Sequence, residues 1–360
     1  MMIKYYMSII FGLLILGASP KLALAQDKDS IVHFDYHKLK PIVQVFGTAV
    51  YNVDEDHYAY GFGRAHLGFQ YSFNDKWSSK IIIDRGRPSI VGQILVADST
   101  GNLLSVENSS MEGAYYTMFL KFANLHWDIN QKLSIEGGAI LQNHYITQER
   151  FWGLRYVAQT FQDLYWKIPS SDLGFIARLK INRYFSVDAT VTNGEGPRIN
   201  QDKFGKLKYS AGIDFNPGNK IQTRIYYHNQ QTGDPEAATE QLLSLFAGIK
   251  PNDKIRIGGE FNYINNLHSI NGQNNYGYSL YGAWCFISNT ELFCRYDQLK
   301  FKETNDSSLL NLDNGSSIIV GFSYAPVKGV HMSLNYQVWL QEMSDKENQN
   351  RILLSMEYNL

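Results

Sequence analysis

The chain closes on RILLSMEYNL, Arg351 to Leu360. In an extended chain successive side chains point to opposite faces. Ile352, Leu354, Met356, Tyr358 and Leu360 therefore share one side, while Arg351, Ser355, Glu357 and Asn359 fall mainly on the other. One apolar and one polar face suit the wall of a transmembrane β-barrel, whose outer side chains meet lipid and whose inner ones meet a lumen. Soluble sandwiches alternate too, so the weight rests on how often the pattern returns and what connects its copies.

It returns along the whole chain. Ala65, Leu67, Phe69, Tyr71 and Phe73 oppose Arg64, His66 and Gln70; Phe185, Val187, Ala189 and Val191 oppose Ser186, Asp188, Thr190 and Thr192. Leu207, Tyr209, Ala211, Ile213 and Phe215 oppose Lys206, Lys208, Ser210, Asp214 and Asn216. Such segments match the roughly 9–11 residues of a tilted membrane-spanning strand. Short Asn-rich turns, such as Asn74-Asp75-Lys76, Asn130-Gln131, Asn252-Asp253 and Asn289-Thr290, alternate with long stretches such as 86–111, 143–171 and 302–314. The reading is all-β: a transmembrane antiparallel β-barrel of about sixteen strands, with short periplasmic turns, long external loops and room for an aqueous channel. An even strand count places both ends of the wall on the periplasmic side. Tyr71, Phe73, Trp127 and Tyr324, each beside a short turn, suit an interfacial aromatic belt.

The other end of the chain indicates export. Lys4 precedes an apolar run from Ile9 to Ala18, and Ala23-Leu24-Ala25 supplies small residues where a signal peptidase cuts. The expected organisation is a signal peptide over 1–25, cleaved after Ala25, a short periplasmic segment over 26–40 and a barrel over 41–360, in the outer membrane of a Gram-negative bacterium. The chain carries 33 Lys and Arg against 34 Asp and Glu, and loses Lys4 and Lys21 with the leader. That balance excludes the basic footprint of a nucleic-acid binder. Outer-membrane lipid is the expected partner. Cys285 and Cys294 alone cannot form a disulfide framework. They flank Asn289-Thr290, so a two-residue turn would oppose them, either as a cross-strand disulfide or as paired small residues facing lipid.

Alternation also assigns a lumen. Its basic candidates are Arg64, Lys80, Arg178, Lys180, Lys208, Arg224, Arg256, Arg295 and Arg351; its acidic ones include Asp84, Glu136, Asp188, Asp214, Glu260, Asp297 and Glu357. Mixed signs fit either a weak anion preference or cross-strand ion pairs that solubilise the wall. The longest internal loop, 143–171, sets Arg150, Arg155 and Lys167 among Phe151, Trp152, Tyr156, Phe161, Tyr165 and Trp166. So many aromatics are costly to leave in water. Folded inward, the loop would narrow the lumen, with those three cations as anion contacts; packing at a subunit interface or as an external cap would cover the rings equally well.

A family resemblance then covers most of the mature chain. Phe62-Gly63-Arg64-Ala65-His66-Leu67 with Ile81-Ile82-Ile83-Asp84, Lys121-Phe122-Ala123-Asn124-Leu125, Ser171-Asp172-Leu173-Gly174-Phe175, Val191-Thr192-Asn193-Gly194-Glu195-Gly196 and Asp214-Phe215-Asn216-Pro217 resemble, in order and spacing, the phosphate-selective porin O and P family. The resemblance implies a 16-stranded outer-membrane porin, commonly a homotrimer, passing small hydrophilic solutes or anions by diffusion. It covers the barrel alone: 26–40 is too short for the periplasmic coiled coil of the better-known members, and their basic ladders do not map residue by residue.

Other chemistry finds little footing. No GxSxG or HExxH motif gathers Ser, His or acidic residues into a catalytic set, so no enzyme and no cofactor are expected. His33, Asp35 and His37 could share a face as a metal trio, but suit a mobile terminal segment better. Asn193-Gly194-Glu195-Gly196 lacks the GxGxxG spacing of a phosphate cradle. The competing reading is a non-conducting barrel whose long loops bind a surface partner.

Overall fold

A computed structural model of the chain describes residues 35–86, 93–97, 103–107, 117–197, 205–218, 220–301, 314–342 and 347–360. The leader expected over 1–25 lies outside the described residues, as does His33. The wall is built from β1 (Leu39–Asn52), β2 (His57–Ser72), β3 (Trp77–Gly86), β6 (Thr117–Asp128), β7 (Leu133–Leu141), β8 (Ser171–Lys180), β9 (Phe185–Thr192) and β10 (Lys208–Phe215). It continues through β11 (Ile221–Gln230), β12 (Glu240–Asn252), β13 (Ile255–Asn265), β14 (Asn275–Ile287), β15 (Thr290–Phe301), β16 (Gly315–Val327), β17 (Val330–Gln341) and β18 (Gln349–Asn359). β4 (Gln93–Ala97) and β5 (Leu103–Glu107) pair only with each other, as a hairpin within the connection from β3 to β6.

Every wall strand is antiparallel to its chain neighbour, and β1 pairs with β18 to close the ring of 16 strands. The seam runs from Gln44 opposite Asn359 to Asn52 opposite Arg351, so the terminal stretch completes the barrel. Closure is obligatory in lipid, where each unpaired backbone group costs several kcal/mol. Short turns near residues 73, 129, 181, 253, 288 and 328 share a rim with both ends of the wall. The longer connections lie on the opposite rim. The exception is the turn after Asn52, tight although it stands among long loops.

The two faces follow the alternation. Ile352, Leu354, Met356 and Tyr358 are each 40–46 % exposed on the outside, while Ser355 is fully buried. The same split puts Ile213, Ile225, Leu245 and Ile257 outside and Ser210, Asp214, Arg224 and Glu260 inside. Ring pairs mark the short-turn rim: Trp77 stacks on Trp127 at 5.0 Å, Tyr71 meets Phe73 at 5.2 Å and Phe185 meets Phe215 at 4.6 Å. Trp339 lies inside near the long-loop rim, with its ring 5.6 Å from Tyr165. Leu354→Arg, with a charge on the lipid face, should cost about 2–4 kcal/mol and lower the yield of folded, heat-modifiable barrel on a gel. Leu354→Val should leave that yield intact.

Register separates the cysteines. Cys285 pairs with Glu291 and Cys294 with Gly282, because the turn falls at Ser288-Asn289, one residue earlier than Asn289-Thr290, and an irregularity between Cys285 and Ile287 adds a further one-residue shift. Both thiols are free, and no cross-strand disulfide forms.

Candidate functional site in the barrel lumen

The connection between β7 and β8 does not stay outside. Its helix α1 (Ile146–Trp152) ends at Gly153 in the left-handed region, φ 73°, and a second short helix, α2 (Phe161–Tyr165), follows. Its bonds to the wall trace a path across the lumen. Thr147 Oγ1 donates to Asp214 on β10 and Gln148 Nε2 to Ser244 on β12. Arg256 Nε donates to the Trp152 carbonyl at 3.1 Å, and the Tyr156 hydroxyl reaches Ser323 on β16 at 2.7 Å. Gln337 Nε2 on β17 donates to the Val157 carbonyl at 3.3 Å, and Arg295 Nη1 on β15 to that of Gln159 at 2.6 Å. The return leg carries Gln162 to Asn262 and Tyr165 to Asp297. A segment bonded in turn to β10, β12, β13 and β15 through β17 lies within the lumen; it is neither an external cap nor a subunit interface.

Its rings account for this position. Phe151, Trp152, Leu154 and Tyr156 pack with Phe46, Phe246, Tyr281 and Phe293 of the wall in one cluster. Phe161, Trp166 and Ile168 pack with Tyr226, Leu242, Ile264 and Leu299 in a second. Glycine makes room for them: a Cβ on Gly248 would stand 2.6 Å from the Phe151 ring. Gly248→Val should therefore displace the segment at a cost of about 1–3 kcal/mol, seen as faster protease nicking between Gly153 and Thr160.

At the root of the segment His144 is fully buried, and neither ring nitrogen has a partner. Burial first, then the charges of Lys208, His228 and Arg224, holds its pKa well below the usual histidine range. A depressed histidine contributes stability above the unfolded value of about 6.5 and loses it as pH falls below that. Protease sensitivity of the segment should thus rise below about pH 6, and His144→Phe should flatten the dependence.

The segment fills the side of the lumen toward β11–β17, leaving space against β2, β3 and β6–β9. Four neighbouring cavities mark this passage. The outermost, about 580 Å³, is lined by Asp84, Arg85, Lys121, Asp163 and Lys167 among others. It shares Lys121 with a narrow cavity of about 150 Å³ that also holds Arg64, Tyr145, Glu149 and Arg150. Arg150 is shared in turn with a cavity of about 390 Å³ containing Lys80, Arg178, Lys180, Asp188 and Asp214. Lys80 and Glu136 lead on to a last space of about 140 Å³ beside Ser78 and His126, toward the short-turn rim.

The basic residues read from alternation and from the loop 143–171 divide between these two sides. Arg64, Lys80, Arg150, Lys167, Arg178 and Lys180 line the passage. Lys208, Arg224 and Arg295 are buried, and Arg256 is half-buried with its guanidinium bonded to both oxygens of Glu291. Arg224 clamps Asp188 and Asp214 and so touches the passage only as part of a trio with one net negative charge. Arg295 pairs with Asp297 at 2.8 Å. Arg155, within the segment, bonds Glu149 at 2.7 Å and Asp163 at 2.6 Å. Burial opposes its charge, but Asp163 and Glu149 outweigh that and raise its pKa. Removing one partner of a buried set leaves uncompensated charge, so Arg224→Met should cost about 3–5 kcal/mol and lower the temperature at which the barrel loses its compact gel mobility.

Lys121 reaches the passage although alternation did not mark it. A register shift between Ile82 and Ile83 adds one residue to β6, so both Lys121 and Phe122 turn inward. Lys121 Nζ then lies 2.6 Å from Asp84. The glycines of 193–196 hold no phosphate cradle: the N–H groups of Gly194 and Gly196 donate to Asp172 at 2.7 and 3.2 Å.

Closed wall, short-turn rim and inward-folded segment together define the fold of the outer-membrane porins. Among solved structures the chain resembles the outer-membrane channel DcaP of Acinetobacter baumannii, at 14 % identity and TM-score 0.60 over 89 % of this chain and 97 % of that one. OmpF of Salmonella typhi, in complex with daunomycin, matches at 12 % identity and TM-score 0.64 over 89 % and 97 %. The anion-selective porin from Comamonas acidovorans matches at 10 % identity and TM-score 0.63 over 89 % and 99 %. No protein-family model and no curated protein sequence matches the chain.

Proposed function

We propose that the protein is an outer-membrane diffusion channel for small hydrophilic solutes, with a mild preference for anions. The observation that carries the reading is the pairing pattern along the passage. Glu149, Glu136, Asp188 and Asp214, the carboxylates of the two middle cavities, are each bonded to a cation. Among the described residues Arg64, Lys80, Arg150 and Lys180 make no ion pair. Arg64 donates to Gln44 at 2.9 Å, Lys80 stands over the Phe122 ring and Arg150 is exposed. Asp188 and Asp214 share Arg224, and Glu149 and Asp163 share Arg155, so each set keeps one net negative charge; the four unpaired cations outnumber those two and leave the passage with excess positive potential, which a cleft with low-dielectric walls concentrates.

The resemblance to the phosphate-selective porins supports phosphate among the permeant anions and a homotrimeric assembly in the outer membrane of a Gram-negative cell. Purified protein in a planar bilayer tests the reading. Ohmic single-channel steps in potassium chloride, with a reversal potential displaced toward that of chloride in a salt gradient, are expected. Sealed membranes after verified insertion would favour the alternative, a barrel that binds a surface partner through its long loops.

A further inference from the structure

The narrow middle cavity mixes two kinds of lining: the guanidinium groups of Arg64 and Arg150, and the apolar side chains of Phe122, Leu141 and Ile146, the last one helical turn from Arg150. The remaining charges there are spoken for: Lys121 is bound to Asp84 and Glu149 to Arg155. We propose that this cavity is a binding subsite for small organic carboxylates that carry an apolar body, of about benzoate size, in preference to inorganic phosphate. The proposal rests on the channel reading and names the solute class of its middle part.

The chemistry follows from what each kind of lining can replace. A guanidinium meets a carboxylate with two parallel N–H donors, so Arg150, with no partner of its own, can take the anionic end. Phe122, Leu141 and Ile146 offer no donor. Phosphate entering the cavity gives up water around all its oxygens and recovers hydrogen bonds from only part of the lining, which is costly. A carboxylate confines its charge to one end, and the ring or branched chain behind it gains by leaving water against Phe122, Leu141 and Ile146. The volume of about 150 Å³ admits one such solute at a time, so an occupant would interrupt the chloride current.

Single-channel recording in potassium chloride, with benzoate, acetate or phosphate added at equal concentration, tests this. Benzoate should produce saturable interruptions, with residence about tenfold longer than for acetate, the ratio expected from burying one small apolar body. Arg150→Gln should abolish the benzoate interruptions. Ile146→Ser should shorten them several-fold, with the continued chloride current showing that the barrel is folded. Phosphate interrupting as long as benzoate, or benzoate passing without interruption through a channel that conducts chloride, would overturn the subsite and leave the channel reading in place. Absence of any chloride conductance would overturn both.

Discussion

Excising residues 146–168 from the β7–β8 connection, with a short Gly-Ser bridge in their place, should raise single-channel conductance roughly twofold or more, since current scales with the open section of a water-filled pore. The same result is expected, in weaker form, from Phe151→Ser combined with Trp152→Ser. Both rings are about 1 % exposed in the cluster that holds the segment against β12–β15. Removing a buried Phe or Trp costs about 3–5 kcal/mol each, more than a segment of two short helices can lose and keep its place. The polar ties to Ser323, Gln337 and Asn262 would not compensate, because net contributions of about 1 kcal/mol per hydrogen bond do not offset lost aromatic packing. Folded barrel with unchanged conductance would show that the segment does not limit flow. Increased conductance with lost anion preference would be the stronger result, since Arg150 leaves with the segment.

Physical periodicity decides which parts of this arrangement can be read from the chain. Strand faces repeat every second residue, and lipid enforces the pattern along each strand, so Ile352 to Tyr358, or Ile213 against Asp214, declare their sides without help from the rest of the molecule. Rings between Phe151 and Trp166 likewise require a dry place, though the chain does not say whose. The answer depends on facing residues far away, chiefly Gly248, Gly258 and Phe246, which leave space only once β12 and β13 stand side by side. Ion pairing is hidden for the same reason. Arg224 is neutralised by residues 10 and 36 positions away, a match that exists only in the observed register of β9, β10 and β11. One-residue displacements defeat such readings altogether: the extra residue in β6 brings Lys121 inside, and a turn at Ser288-Asn289 in place of Asn289-Thr290 separates two cysteines that the later turn would oppose. Charge counts along a strand therefore overstate what a passing ion meets. In the two middle cavities the cations left without carboxylates, Arg64, Lys80, Arg150 and Lys180, act on it most directly.

Reversing two of them should change the sign of selectivity. Arg64→Glu with Arg150→Glu replaces both guanidinium groups of the narrow cavity by carboxylates, while Glu149 stays engaged by Arg155. A unit charge 4 Å from an ion contributes about 1 kcal/mol in bulk water and about 4 kcal/mol at the effective dielectric constant of a protein surface. Two reversals within one constriction therefore shift the balance between chloride and potassium by well over tenfold, since each 1.4 kcal/mol is a factor of ten. In a potassium chloride gradient near 0.1 M the reversal potential should move from the chloride side to the potassium side. Near 1 M, where the screening length falls from about 10 Å to about 3 Å, the displacement should shrink. Lys254→Glu supplies the contrast, because Lys254 is exposed in a turn on the short-turn rim and lies outside the passage. It should alter the reversal potential little at either concentration. Equal shifts from the rim and the constriction would mean that the mean charge of the protein sets selectivity; a shift confined to the double reversal places it where the segment presses the passage against β2, β6 and β7.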